Sequence, residues 1–243
     1  MNVLGIKTPL VRSGESILDL LDHALGTLHE GDIVAITSKV VSICQQRLIP
    51  ILDVTSKYAL IQHHAQAILA ESEACHGTHL TITCDRLIPS AGIDESNGDG
   101  HYVLYPEDLQ VTTEALWHHL RKKHGIKNLG VIITDSHITP LRKGVTGTSL
   151  SWCGFEPLYD YIGQPDLFNK PLSLTQINLL DALATAAVLV MGEGNEQTPI
   201  ARIQQAPKIT FVDHIPTTAE HQNLKIALAD DLFAPLLKSV AWI

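Results

Sequence analysis

The chain has 243 residues, of which 45% are apolar and 18% charged, and its formal net charge is −9. This length is enough for one large domain or two small ones with a proper core, and the composition is that of a globular protein. The acidic charge argues against a surface that binds nucleic acid, because such surfaces are usually basic. An acidic protein that binds a phosphate-bearing ligand has to rely on metal ions and a few local cations.

Two features of the sequence bear on its compartment. The first residues, MNVLGIKTPLVRSGES, break their apolar run too early for a signal peptide, and no apolar run approaches the roughly 18 residues of a membrane span. The cysteines at 44, 75, 84 and 153 contain no CxxC pair, which favours reduced thiols over a zinc site or a disulfide framework. We therefore expect a cytoplasmic protein without a membrane or nucleic-acid partner.

The apolar pattern predicts helices and strands in an irregular order. Ser16 precedes an amphipathic run over 17–25 that is typical of a capped helix. Further helices are predicted over 56–72, from Thr112 or Thr113 to about His124 with a stop at Gly125, over 174–191 and over 222–238. Strands are predicted over 33–37, 79–84, 102–105, 129–134 and 209–212.

This order does not alternate strictly between strand and helix. We therefore expect an α+β (mixed α/β) fold rather than a doubly wound Rossmann sheet. Neither GxxxxGK[ST] nor GxGxxG occurs, so a P-loop and a Rossmann phosphate cradle are also not expected.

Four polar clusters follow predicted apolar elements. They are Thr37-Ser38-Lys39, AGIDESNGDGH at 91–101, Thr134-Asp135-Ser136 with the segment 140–147 after it, and 191–198. Together they offer carboxylates for Mg²⁺ or Mn²⁺, glycines for close backbone approach, and Lys39, Arg142 and Lys143 for anionic oxygens. Each cluster alone would be interpreted as a common solvated loop.

Seven segments of the chain occur in the order seen in one enzyme family. They are SKVVS (38–42), AGIDESN (91–97), YPED (105–108), VIITDS (131–136), LRKGVTG (141–147), LYDYIGQPDLFNKPLSLT (158–175) and ALATAAVLVMGEG (182–194). In these segments the chain resembles the coenzyme F420-0:L-glutamate ligases, the γ-glutamyl ligases that extend the tail of a deazaflavin cofactor. The resemblance spans about residues 8–203 and implies the fold of that family over 1–243, as one unit or as two interleaved subdomains.

The resemblance implies a GTP-dependent amide ligase whose substrates are GTP, L-glutamate and F420-0 or a related acceptor. It also implies two Mg²⁺ or Mn²⁺ ions per site, with K⁺ as a further candidate cation, and a homodimer. Phosphoryl transfer to a carboxylate and attack by the glutamate amine need charge neutralisation and alignment more than a protein nucleophile.

The resemblance also implies roles for particular residues. Asp94 and Asp135 would hold one metal ion, Ser136 and Glu193 would hold the second, and Arg142 is a candidate for a catalytic role. The nucleotide would contact Thr8, Pro9, Leu10, Val11, Ser38, Lys39, Asn97, Met191, Gly192, Glu193, Gly194, Asn195, Glu196, Gln197 and Thr198.

Two departures from the family pattern remove cations. Ile43 stands where the family usually has a second lysine near the nucleotide phosphates, and Ile138-Thr139 stands where it has a Gly-Arg pair, which leaves Arg142. In an acidic protein these losses should weaken triphosphate binding unless Lys39 or Lys143 substitutes. The pattern favours a divergent member that acts on another acceptor or nucleotide.

Two other function classes remain open from the sequence. A metal-dependent phosphatase or hydrolase would use the same acids with a metal-bound water in place of glutamate. A catalytically silent nucleotide- or cofactor-binding protein would keep the fold, and the missing lysine at Ile43 is its best support.

Overall fold

The centre of the molecule is a five-stranded sheet with strands in the order β1 (Asn2–Ile6), β12 (Ile200–Gln204), β2 (Asp32–Thr37), β8 (Leu129–Ile138) and β9 (Val145–Cys153). The computed structural model describes residues 1–69 and 77–243. Only β2 and β8 run parallel within this sheet, and its other three pairings are antiparallel. The mixed α/β fold expected from the sequence is therefore confirmed, and this sheet is not a doubly wound parallel one.

Helices cover both faces of this sheet because the centre of β2, residues 33–36, is apolar and alternates its side chains between the two faces. Val34 and Ile36 pack on one side with α1 (Ile17–Ala24), α2 (Ser38–Cys44) and α4 (Leu109–His124). Ile33 and Ala35 pack on the other side with α5 (Leu179–Met191). The strand is thus buried on both faces, and the polar residues Ser38 and Lys39 follow only after it ends.

Smaller sheets and helices complete the fold. One pair joins β3 (Leu48–Pro50) to β7 (His101–Val103), and a three-stranded sheet joins β4 (Ala67–Ile68), β5 (Leu80–Thr83) and β6 (Arg86–Pro89). The strands β10 (Leu158–Asp160) and β11 (Gln176–Asn178) form a second pair, and the remaining helices are α3 (Lys57–His64), α6 (Thr218–Asn223) and α7 (Ala234–Lys238). No helix in the described ranges is long and apolar enough to cross a membrane.

Several predicted elements are confirmed with shifted ends. Ser16 caps α1 by accepting a hydrogen bond from the Asp19 N–H, and the predicted strands at 33–37 and 129–134 lie within β2 and β8. Gly125 ends α4 in the left-handed region at φ +65°, as predicted, but the helix begins at Leu109 rather than at Thr112 or Thr113. The strands predicted at 79–84 and 102–105 correspond to β5 and β7.

Four predictions were wrong in extent or kind. The helix predicted over 56–72 ends at His64, because Ala65 is extended and the chain turns into β4; positions 70–72 of that prediction lie outside the described residues, as does Cys75. The helix predicted from 174 begins at Leu179, because 176–178 pair with β10 and Asn178 caps the helix.

Near the C-terminus, the segment 209–212 forms only the isolated bridge of Phe211 with Phe155 instead of a strand. The region 222–238 contains the end of α6 and all of α7 with turns between them, instead of one helix.

Candidate functional site

A cavity of about 570 Å³ lies where the polar clusters meet. Because β2 and β8 are parallel neighbours with Thr37 opposite Thr134, Ser38 and Lys39, which follow β2, lie at the same end of the sheet as Asp135 and Ser136, which belong to β8. The residues predicted from the sequence that line the cavity are Thr8, Pro9, Leu10, Val11, Lys39, Asp94, Asn97, Asp135, Ser136, Met191, Gly192, Glu193, Gly194, Asn195, Glu196, Gln197 and Thr198. Segments more than 180 residues apart in sequence thus share one cavity.

Asp94 is held by Lys39 and by its own loop. Its Oδ2 lies 2.6 Å from Lys39 Nζ and accepts a 2.7 Å hydrogen bond from Ser96 Oγ, and its Oδ1 accepts a 2.9 Å bond from the Ser96 N–H. Burial alone would raise the pKa of Asp94, but the hydrogen bonds from Lys39 and Ser96 outweigh it and hold that pKa below its usual value. Asp94 is therefore ionised and forms an ion pair with the Lys39 ammonium group.

Asp135 is in the opposite electrostatic situation. Burial raises its pKa and the nearby Asp94 carboxylate raises it further, against hydrogen bonds from the Ser136 N–H, Tyr105 and Ser38. Burial, together with the charge of Asp135, also raises the pKa of Tyr105 well above its usual value, so the phenol stays protonated and donates to the carboxylate. A cation placed between Asp135 and Asp94 would relieve this repulsion.

Ser136 and Glu193 meet across the cavity. Ser136 Oγ donates a 2.6 Å hydrogen bond to Glu193 Oε1, which joins β8 to the loop after α5. That loop turns at Gly192 with φ +79°, where a Cβ would lie 2.4 Å from the Glu196 carboxyl carbon. The positive φ favours glycine at this position, and a side chain here would also displace the Glu196 carboxylate.

Hydrogen bonds tie the 191–198 loop to the other walls of the cavity. Asn97 Nδ2 donates a 3.0 Å bond to the Gly194 carbonyl, and the Thr8 N–H donates a 2.9 Å bond to the Gln197 carbonyl. The Gly194 N–H donates a 2.8 Å bond to Glu196 Oε2, so the glutamate is used within its own loop. The glycine-rich segment is thus held in one arrangement by its backbone.

Two predicted residues lie apart from the cavity wall. Ser38 does not line it but donates to Asp135 from behind. Arg142 is exposed on the turn between β8 and β9 and does not line the cavity, and the same is true of Lys143. In the structure as described, neither side chain is positioned to contact a ligand in this cavity.

Two residues of the cavity wall, Tyr105 and Lys57, were not assigned a role from the sequence. Tyr105 begins the YPED segment, so that motif held a signal for it. Lys57 has no local signal, because its partner Glu95 is distant in sequence and the contact of 3.1 Å depends on the fold. Ile43 also lines the cavity, at the position where the sequence departs from the family pattern.

Comparison with known proteins gives a consistent result. Residues 5–205 match the family model described as F420-0:Gamma-glutamyl ligase. A coenzyme F420:L-glutamate ligase of Methanothermobacter thermautotrophicus is 31% identical over 227 residues, which cover 85% of this chain and 90% of the relative. A protein of the same name from Methanopyrus kandleri is 35% identical over 204 residues, 78% of this chain and 80% of the relative. A third, from Methanocaldococcus jannaschii, is 30% identical over 220 residues, with 85% and 88% covered.

Proposed function

Because the chain belongs to the F420-0:gamma-glutamyl ligase family, we propose that it is an amide ligase that adds L-glutamate through a γ-glutamyl link to F420-0 or a related carboxylate acceptor. The γ-phosphoryl group of GTP would pass to the acceptor carboxylate and leave GDP. The amine of glutamate would then attack the acyl phosphate, form the amide and release phosphate. The observation that carries this proposal is the convergence of Asp94, Asp135, Ser136 and Glu193 in one cavity with the glycine-rich 191–198 loop.

The oxygen atoms of this cavity suit magnesium or manganese. Asp94 and Asp135 are close enough for the first to raise the pKa of the second, and Ser136 lies against Glu193. In residues 1–69 and 77–243, no three Asp, Glu, His or Cys side chains form a metal site by themselves. Mg²⁺ commonly takes one or two carboxylates and completes its coordination with water and substrate phosphates, so two ligand pairs are a reasonable donor set. Bound there, the ions would neutralise the charge that develops on the phosphate oxygens.

The protein's own residues would position the substrates and exclude water from the site. Ser38 and Tyr105 hold the Asp135 carboxylate by hydrogen bonds, which fixes its direction within β8. The backbone of 191–198 and Asn97 form a wall against which a phosphate group would be oriented. Such positioning accounts for most of the catalysis in phosphoryl transfer, where no protein nucleophile is required.

We also propose that the protein acts as a homodimer. Its described surface exposes large apolar side chains that a partner copy would cover, notably Leu167 at 97%, Phe168 at 88% and Leu174 at 86%. Light scattering at micromolar concentration should give twice the mass of the 26.5 kDa chain. A monomer under these conditions contradicts the proposal.

The decisive experiment for the function combines the purified protein with GTP, Mn²⁺, F420-0 and L-glutamate, with and without K⁺. We expect one phosphate released for each amide formed, detected by mass spectrometry, and a comparison with ATP measures nucleotide preference. Phosphate release that does not depend on glutamate would instead identify a hydrolase, and binding of a nucleotide or of F420-0 without either reaction would identify a silent homologue.

A metal readout that does not depend on turnover accompanies this assay. Mn²⁺ or Mg²⁺ should raise the Tm, since a ligand that binds only the native state stabilises it. Asp135→Asn should abolish that rise, whereas Asp53→Asn, a change at an exposed carboxylate outside the cavity, should preserve it. If Asp94→Asn and Asp135→Asn both keep the full response, the assignment of these metal ligands is wrong.

A further inference from the structure

Lys39 and Lys57 are the two cationic side chains that line the cavity in the described part of the chain. Lys39 is fully used by the protein. Its ammonium lies 2.6 Å from Asp94 Oδ2 and donates bonds of 2.8 Å to Ser96 Oγ and 3.1 Å to the Ser96 carbonyl. An ammonium has three N–H donors, so these three acceptors saturate it.

Lys57 is used much less. Among the described residues, its ammonium has one acceptor, Glu95 Oε1 at 3.1 Å, and it lies 5.7 Å from the centre of the Tyr102 ring. Its side chain is 31% exposed and that of Glu95 is 49% exposed, so the pair is weak and easily exchanged. Lys57 therefore keeps donors for a ligand in the cavity.

The position of Lys57 also favours an anion. It is the first residue of α3, after the capping residue Ser56, and the N-terminal end of a helix carries partial positive charge. The cavity otherwise presents carboxylates, namely Asp94, Asp135, Glu193 and Glu196. Metal ions at these carboxylates would balance part of the charge of a substrate, and Lys57 is a further cation in the cavity, since Ile43 supplies none and Arg142 lies outside.

We propose that Lys57 binds an anionic oxygen of the substrate, from a phosphate or carboxylate group, and leaves Glu95 to do so. It would thereby supply to the cavity a cation that Ile43 does not. The choice of substrate rests on the proposed function, whereas the binding of an oxyanion by Lys57 does not. Lys39 would then hold the 94–97 loop, and Lys57 would contact the ligand.

The test measures binding by calorimetry in Mg²⁺ for tripolyphosphate, GTP and F420-0 separately. Lys57→Gln should weaken at least one of them about tenfold, as expected for the loss of one charge-assisted hydrogen bond. A loss for tripolyphosphate and GTP identifies the nucleotide as the source of the oxyanion, and a loss confined to F420-0 identifies the acceptor. The matched control is Lys225→Gln, which removes a lysine that is also paired with one carboxylate, Asp85, but lies outside the cavity.

A second variant separates ligand binding from a structural role. Glu95→Gln breaks the same ion pair but leaves the lysine, so it should bind the affected ligand as tightly as the unaltered protein or more tightly. Equal weakening by Glu95→Gln and Lys57→Gln would mean that the pair only holds the loop, and this overturns the proposal, as does unchanged binding of all three ligands by Lys57→Gln. A protein that binds through Lys57 but forms no amide refutes the ligase function alone.

Discussion

The absence of a side chain at Gly92 leaves room for the Tyr105 ring, which hydrogen-bonds to Asp135. Replacing Gly92 by alanine tests whether that room is needed. A Cβ at Gly92 would lie 1.8 Å from Tyr105 Cε2 and 2.0 Å from Cδ2, and the residue has φ +71°. The left-handed backbone costs a residue with a Cβ about 1–2 kcal/mol, and forcing an atom into occupied space costs about 1–3 kcal/mol more. Gly92→Ala should therefore lose roughly 2–5 kcal/mol of unfolding free energy in urea denaturation.

Gly100→Ala is the matched control for this change. Gly100 has φ +79°, but nothing lies within 4 Å of its added Cβ, so only the backbone cost of about 1–2 kcal/mol remains. The displaced tyrosine should also reduce the Tm rise with Mn²⁺ in Gly92→Ala but not in Gly100→Ala. In a Tyr105→Ala background, Gly92→Ala should cost no more than the control. Equal losses in the two glycine variants of the unaltered background would refute the steric reasoning.

Three further predictions concern binding and stability. Ile43→Lys should lower the Kd for GTP about tenfold or more by restoring a charge-assisted contact at the cavity wall, and calorimetry that shows no gain contradicts this. Arg202→Met should cost up to about 3–5 kcal/mol in urea denaturation because it removes the cationic partner of Asp32, a carboxylate that is 3% exposed and keeps the His29 N–H and Gln204 Nε2 as donors. Adding Asp32→Asn should recover part of the loss, and a neutral single variant would refute the prediction. Hydrogen bonds from Lys123 and His119 lower the pKa of Asp22 in the folded protein. The contribution of Asp22 to the free energy of unfolding is therefore complete above the unfolded pKa of about 3.9, and it is lost as the pH falls through the lower folded pKa. Asp22→Asn should accordingly be less stable than the unaltered protein at pH 7, and the difference should disappear in acid; a difference that persists at low pH contradicts the assignment.

The sequence predicts best where local pattern and burial agree. The apolar runs at 33–37 and 129–134 are strands because both faces of each are buried, and the polar residues after them meet because these strands are parallel neighbours. The residues of the site were named from the resemblance, and this strand pairing explains only why Lys39 lies at the same end of the sheet as Asp135 and Ser136. Asp94, Asn97 and the 191–198 loop reach the cavity on other elements, and the roles of all these residues toward metal and nucleotide stay predictions.

The sequence predicts poorly where distant pairing competes with a local helix pattern. The residues after His64 leave the helix because β4 pairs with β5, and those before Leu179 are extended because β11 pairs with β10. Lys57 was missed for a related reason. Its role depends on which residues of another segment lie beside it, and no spacing within the helix carries that information.

The contact between Lys39 and Asp94 has a consequence for how the protein exists without its ligands. The chain carries its own counter-ion at a carboxylate proposed to bind a metal, so the two neighbouring acids do not have to be neutralised from solution before folding. A divalent ion can bind Asp94 at Oδ1, which accepts only the Ser96 N–H, but it then lies near the positive charge of Lys39. The protein thus gives up some metal affinity in return for a site that is already assembled when the metal arrives.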